Sequence, residues 1–586
     1  MSFSLARLRT LLTRRRIVIA LASLILVATL AFLVEAVLAA YAMNAARTDG
    51  DAVATALTAG DLPGAQAAAM RLEKDAARAR SLTDDPLWWI GSGLPFVGDN
   101  VAAIQDSATA LDAIAHSSLP VLLHLADEVE NGTLRPHQGR IAPDAIARLA
   151  PEVRRAAQAL DGPASAVENI KTSSLLPPLD TLIGQVQERI KQADVAIDAA
   201  ANAFQVLPTV LGGHGLRTYL LLVQNPAEIR ASGGLPGTWA LIHADNGRLR
   251  MTSTTFLYQL QQKTNPLPLT PDEIDLFGTN FGLSPNDITG TPDFPRAAQI
   301  AAAIERRRGV KVNAVFSVDP VALAYVLAGT GPVTLKPGAT LTATNAVPYL
   351  MNQLYLVDDP GTQNAMFSLA AHKTFDALVG GQGNQVNAIR GLVQAVLRHR
   401  VLAWSGDPEL ASVINAESLT GAFPADTGAT PQVGVYLNDQ VTGKPEFYLR
   451  QSSAVTATSC SNGAQELRLQ SSFQSTMPAD AASLPIWVVG PGTLAPKGNI
   501  DMTLYIAAPW KGAIDSVTVD GQQASVMANR YDDRQITLLP ISLTPGQLVT
   551  VTATMHTGPG QTGAGKLTWT PGMGSDPDPS TFDSAC

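Results

Sequence analysis

One stretch of the chain gathers side chains that could do chemistry. It reads Gln224-Asn225-Pro226-Ala227-Glu228-Ile229-Arg230-Ala231-Ser232-Gly233-Gly234-Leu235-Pro236-Gly237. Glycines such as Gly233 and Gly234 permit unusual backbone angles and let main-chain N–H groups approach a ligand. Arg230 could grip a phosphate through two parallel hydrogen bonds. Glu228 could hold a cation or act as a base, with the Asn225 amide beside it. A second stretch, Thr291-Pro292-Asp293-Phe294-Pro295-Arg296, adds Asp293. Each has a plainer reading. Glu228 and Arg230 pair with each other or satisfy the loop backbone, and Asp293 caps the helix that follows.

Other chemistries leave no trace. There is no His-Glu-x-x-His helix, Cys-x-x-Cys pair, phosphate-binding P-loop or Gly-x-Ser-x-Gly elbow. The eight histidines are scattered, without metal-ligand spacing. Asp576, Asp578 and Asp583 lack the glycine and terminal glutamate of a calcium loop and read as a solvated tail. Arg306-Arg307-Arg308 stands where a helix should end, and cations there complement its dipole.

The elements that must position the 224–237 stretch are strands. Leu216 to Val223 ends in an apolar run, as in a strand buried on both faces. Residues 224–237 then read as a loop. Thr238–Ala244 and Arg248–Thr255 are two further strands joined by the turn signal Asp245-Asn246-Gly247. Helices are expected at about 294–308, 319–328, 343–354 and 363–379, with a strand at 312–318 and a last helical pattern over Val386–Ala403. This is an α/β domain over 213–420. From 430 to 586 short strands alternate with turns, as in a β-sandwich with a tail. Residues 44–205 are alanine-rich and helical, a stalk or bundle. Its helices cover about 65–82, 100–130, 142–160 and 178–205, with a start signal at Asp61-Leu62-Pro63 and breaks at Asp161-Gly162-Pro163 and Pro177-Pro178. The whole is a multidomain α+β chain.

Composition sets the frame. At 586 residues the chain predicts about three or four domains. It is 46% hydrophobic and only 16% charged, which excludes a disordered chain. A net charge of -9 with few basic clusters argues against nucleic acid. Arg7, Arg9, Arg14, Arg15 and Arg16 precede the uncharged run Ile17–Val34, which spans about 27 Å as a helix. Residues 1–16 then form a cytoplasmic basic tail, residues 17–43 a transmembrane anchor, and the bulk lies outside the cell membrane. The rival is a signal peptide cleaved near Ala40-Tyr41-Ala42, but the run exceeds the usual apolar core of such peptides. In an oxidising compartment Cys460 and Cys586 can pair and tie the tail to the last domain.

Several runs carry a resemblance: "LLLVQNPAEIRASGGLPGTWALIHADNGRL", "TPDFPRAAQIAAAI", "VFSVDPVALAYVLAGTGPVTL", "VGVYLNDQVTGKPEFYL" and "WWIGSGLPFVGDN". Over about residues 40–580 the chain resembles an uncharacterised family of actinobacterial single-pass envelope proteins. The strand–loop–strand–turn–strand order, with "NAVFSVDPVALAYVLAGTGPVTL" and "LTATNAVPYL", is more remotely similar to the LytR-CpsA-Psr phosphotransferases. That likeness implies a polyprenyl-linked glycan donor, a divalent cation such as magnesium, and a pyrophosphate facing Asn225 to Arg230. The chain departs from it in its arginines. None stands in Thr252-Ser253-Thr254-Thr255-Phe256, and Met351-Asn352-Gln353 follows Tyr349-Leu350 where arginines stand in those enzymes. Phosphoryl transfer depends on such cations.

The functional expectation is therefore a membrane-anchored extracytoplasmic envelope protein that binds a lipid-linked or wall-linked glycan or an envelope partner without catalysis. Its ligand-binding residues would be Asn225, Glu228, Arg230, Gly233, Gly234 and Asp293. Two alternatives stand beside it: a glycopolymer phosphotransferase using magnesium, and a structural or adhesion protein.

Overall fold

The computed structural model describes residues 4–573 and 580–586, apart from 96, 133, 137, 138, 173, 174, 337, 358, 415 and 416. Asp576 and Asp578 lie outside the described residues, as do the first three residues of the basic tail. The protein is a mixed α+β multidomain chain. It divides into two compact units, residues 1–134 with 144–207, and residues 135–143 with 208–586.

The first unit is helical: α1 (Ser4–Ala59), α2 (Leu62–Thr83), α3 (Pro86–Ser92), α4 (Gly98–Ala113), α5 (Leu119–Glu130), α6 (Pro143–Glu168) and α7 (Pro177–Val210). A π-helical turn, Ile114–Ser118, joins α4 to α5. Alanine favours helix because it loses no side-chain entropy. The expected start of α2 is real: Asp61 accepts from the Gly64 N–H at 2.9 Å, with Pro63 in the first turn. α1 changes character along its length. Leu26, Val27, Leu30, Leu33, Val34, Val37 and Tyr41 are exposed, whereas Ala39, Ala42, Met43, Ala46 and Val53 are buried. Among the described residues α1 is the one helix long and apolar enough to cross a membrane. The break expected at Asp161-Gly162-Pro163 does not occur; α6 runs through both Pro151 and Pro163. A proline costs a helix a hydrogen bond. Here burial of Leu160, Ala164 and Val167 on one face keeps the helix continuous.

The second unit is built on sheets. β1 (Arg217–Arg230), β2 (Gly233–Asp245), β3 (Arg248–Phe256), β4 (Ala314–Val318), the small hairpin β5 (Val333–Lys336) and β6 (Ala339–Leu341), and β7 (Val401–Ser405) come first. Five of them form one sheet in the order β3-β2-β1-β4-β7. β1 pairs antiparallel with β2 and parallel with β4. Its run Leu220–Val223 is buried, as befits a central strand. The connection from β3 to β4 carries α8 (Pro271–Phe277) and α9 (Phe294–Arg307), whose Phe294, Ala297, Ile300 and Ile304 pack in one core with Leu220, Leu222 and Trp239. α10 (Pro320–Thr330) follows β4, capped by Asp319 on the Ala322 N–H. The helix expected at 343–354 is broken into α11 (Ala346–Pro348), a π turn (Tyr349–Gln353) and α12 (Leu354–Val357). α13 (Pro360–Val379) and α14 (Gln385–Leu397) come next. The helical pattern over Val386–Ala403 is too long. α14 stops at Leu397, His399 turns with φ 53°, and Val401-Leu402-Ala403 becomes strand β7. Short apolar runs read equally well either way.

The expected sandwich is present. Its strands are β8 (Gln432–Asp439), β9 (Leu449–Ser461), β10 (Ala464–Ser475), β11 (Ile500–Ala507), β12 (Ala513–Val519), β13 (Gln522–Gln523), β14 (Met527–Tyr531), β15 (Arg534–Leu543), β16 (Leu548–His556), β17 (Gly565–Trp569) and β18 (Ser580–Phe582). They form two sheets, β13-β12-β16-β10-β9 and β14-β15-β11-β8-β17-β18. Alternate residues such as Leu467, Leu469 and Phe473 of β10 meet Leu504 and Ile506 of β11 in a shared core. Cys460 and Cys586 are bonded to each other.

Candidate functional site

The stretch expected to be a loop is strand. β1 runs on to Arg230, turns through Ala231-Ser232, and returns from Gly233 as β2. Two register shifts, between Val223 and Asn225 and between Asn225 and Ile229, make it bulge. The cause is local: Pro226 has no N–H for the ladder, and strand prolines belong at bulges. The glycines serve the pairing. Gly233 sits at φ 125°. A Cβ on Gly234 would lie 2.4 Å from the Asn225 carbonyl carbon, so the two arms close only with glycine there.

This hairpin tip joins the sandwich. Ile229 lies in the sandwich core with Leu437 and Val488. The Asn438 side chain accepts from the Ala231 N–H at 3.0 Å, and Thr570 Oγ1 donates to the Ala231 carbonyl at 3.0 Å. Ser232 donates to the Thr291 carbonyl.

Glu228 and Arg230 meet three further charges at this seam. Arg230 donates to Glu228 Oε1 at 3.2 Å. Lys444 Nζ donates to Glu228 Oε2 at 2.5 Å and lies 5.2 Å from the centre of the Tyr355 ring. Arg230 also reaches Asp439 Oδ2 at 3.6 Å. Asp439 accepts from the Val441 and Thr442 N–H groups at 2.8 and 3.0 Å. Glu446 Oε2 accepts from the Ile229 N–H at 3.4 Å. Asn225 donates to the Tyr355 hydroxyl at 2.7 Å and accepts from the Ala227 N–H. Asn225, Glu228, Arg230, Asp439 and Glu446 are all buried.

The protonation pattern follows from this geometry. Burial opposes charge on Glu228, but Lys444 and Arg230 outweigh it and hold the carboxyl below its usual range. Burial and the neighbouring Asp439 push Glu446 well above its own. Glu446 Oε1 is buried with no donor among the described residues, so a protonated Glu446 donating to Asp439 resolves the conflict.

A divalent cation does not fit here. Both oxygens of Glu228 face cations, and both oxygens of Asp439 face N–H donors. Among the described residues, the trio of carboxylates close enough to share an ion is Asp161, Asp194 and Asp198, on α6 and α7 of the helical unit.

Asp293 is not brought into this group. Its carboxyl makes no cap on α9 and accepts instead from the Phe423 N–H at 3.1 Å. Burial pushes it up to about 6, opposed by that N–H and reinforced by Asp532. A mostly apolar groove of about 270 Å³ is lined in part by Ala231, Leu397, His399, Leu402, Tyr436 and Trp569.

The expected set of six therefore splits. Asn225, Glu228, Arg230, Gly233 and Gly234 come together; Asp293 stands apart. Asp439, Lys444, Glu446 and Tyr355 were missed. For Asp439, Lys444 and Glu446 the signal was a second knot of charge, Asp439 to Glu446, at the end of an apolar strand.

Residues 214–355 match a protein family described as of unknown function, DUF4012. The match begins just before β1 and ends in α12, so it takes in the hairpin but not Lys444 or Glu446. No curated protein and no solved structure matches the chain.

Proposed function

We propose that this chain is a membrane-anchored extracytoplasmic protein of the cell envelope that acts by binding. Its ligand is a lipid-linked or wall-linked glycan, or an envelope protein, and it carries out no transfer chemistry. The single observation behind this reading is the occupancy of the 224–237 charges. Arg230 and Glu228 are buried and paired with each other, Lys444 and Asp439. Phosphoryl transfer needs cations and a metal turned toward a substrate. Here the cations are turned toward protein carboxylates. The arginines missing after β3 and after Tyr349-Leu350 agree with this. The disulfide and the basic-then-apolar N-terminus support an oxidising, extracytoplasmic setting. The remote likeness to LytR-CpsA-Psr enzymes belongs to the same proposal as a likeness of strand order, not of activity.

The test uses the full chain in vesicles with a polyprenyl pyrophosphate-linked glycan and a wall-polymer acceptor, with and without magnesium. The expected result is metal-independent binding of a glycan or partner and no release of polyprenyl phosphate. Magnesium-dependent turnover, lost in a folded Arg230→Lys variant, would instead establish the transferase reading.

A further inference from the structure

The segment from Leu87 to Gly98 contains no charged residue and holds two tryptophans. Buried Trp88 anchors it, but its neighbours face outward: Trp89 is 84% exposed, Ile90 65%, Leu94 49% and Val97 44%. An apolar patch of this kind marks an interaction surface.

The packing of the helical unit says what that surface faces. α2 runs back along α1. Arg71 pairs with Asp49 at 2.9 Å, and Leu72 reaches within 3.2 Å of where a Gly50 Cβ would be. Carried on at equal rise per residue, this antiparallel register brings Thr83 level with about residue 38 of α1. α3 continues the descent. The Trp88 ring lies 4.9 Å from that of Phe32, and a Cβ on Gly91 would touch Phe32 at 3.4 Å. Phe32 belongs to the uncharged run Ile17–Val34. The run ends at Val34, just before Glu35, which sets Phe32 about 3 Å inside the outer hydrocarbon boundary.

We infer that α3 and the turn residues Leu94 and Val97 are a second membrane contact: they touch down in the outer boundary of the bilayer that α1 crosses, with Trp89, Ile90, Leu94 and Val97 in lipid. This rests on the membrane-anchor reading above. Tryptophan suits the boundary because its ring is apolar and its N–H polar. The carboxylates that flank the segment, Asp84, Asp85 and Asp99, bracket the insertion. No Lys or Arg lies within it, so apolar burial and not lipid charge drives the contact.

Site-directed spin labelling of the full chain in phosphatidylcholine vesicles tests this. The two native cysteines are bonded to each other, so one added cysteine takes the label. Labels go at Trp89→Cys and Leu94→Cys. Leu30→Cys reports the span, and Val195→Cys, 57% exposed on α7, reports water. Collision with oxygen, which concentrates in lipid, is compared with collision with a water-soluble nickel chelate. The expected oxygen-to-nickel ratio at 89 and 94 resembles that at 30 and is at least several-fold above that at 195. A lipid-like ratio at 30 with water-like ratios at 89 and 94 overturns the contact but leaves the anchor. Low access to both reagents at 89 and 94 also overturns it, in favour of a protein contact. A water-like ratio at 30 overturns the anchor and the contact together.

Discussion

Two short segments invert the usual distribution of polarity. Residues 224–237, with a carboxylate and a guanidinium, are buried. In the uncharged segment 87–98, Trp89, Ile90, Leu94 and Val97 are exposed. Buried charge and exposed apolar surface are the observations that inform, because each is costly without a reason. The first segment finds its reason inside the chain: every charge has a partner, and the partners come from the sandwich. The second finds no such reason within its unit beyond Trp88. The lesson is that charged residues in a glycine-rich stretch can be structural, whereas an uncharged stretch can be the working surface.

Removing one partner from the buried group should have the largest effect. Lys444→Ala leaves the Glu228 carboxylate half-paired in a closed interior. A cost of about 3–5 kcal/mol is expected, read by denaturant unfolding. A neutral outcome would mean that water reaches the group and that the two segments are not opposites. Next comes a pair of neighbours on α3. Trp88→Ala should cost about 3 kcal/mol or more, because Trp88 is fully buried on Phe32. Trp89→Ser should change stability in detergent by no more than about 0.5 kcal/mol. Similar losses at both would show that Trp89 is packed.

The last effect is one of pH. The Asp293 carboxyl is raised from 3.8 to about 6. A group raised in the folded state contributes fully below its unfolded pKa and loses that contribution as pH rises through the folded one. Wild-type stability should therefore fall across pH 3.8 to 6 by more than that of Asp293→Asn, which keeps an acceptor for the Phe423 N–H. Parallel curves from thermal melts would remove Asp293 from the set of perturbed groups.

Much of the fold was legible. The helix caps at Asp61 and Asp319, the strands on either side of Asp245-Asn246-Gly247 and the alternating strands of the sandwich follow from local rules. The 224–237 stretch did not, for a physical reason. Pro226, Gly233 and Gly234 are turn residues by type, yet here they make a bulge and a close strand pairing. Glu228 and Arg230 look exposed by type, and only Lys444 and Asp439, some two hundred positions away, make their burial affordable. Local pattern carries no information about such partners. Likewise, Val401-Leu402-Ala403 becomes a strand only because β4 offers an edge to pair with. The pairing of Glu228 with Arg230 was the plainer of the two sequence readings, and the geometry agrees with it.

The most direct test of the closed seam is covalent footprinting of arginines. The folded full chain is treated with phenylglyoxal and modification is read by mass spectrometry, with and without polyprenyl pyrophosphate and magnesium. If the charges of 224–237 are structural, Arg230 stays unmodified while exposed Arg306 reacts, and ligand changes neither. Arg230 reacting as fast as Arg306, and protected by the pyrophosphate, would contradict the seam and return this segment to the role of a binding loop.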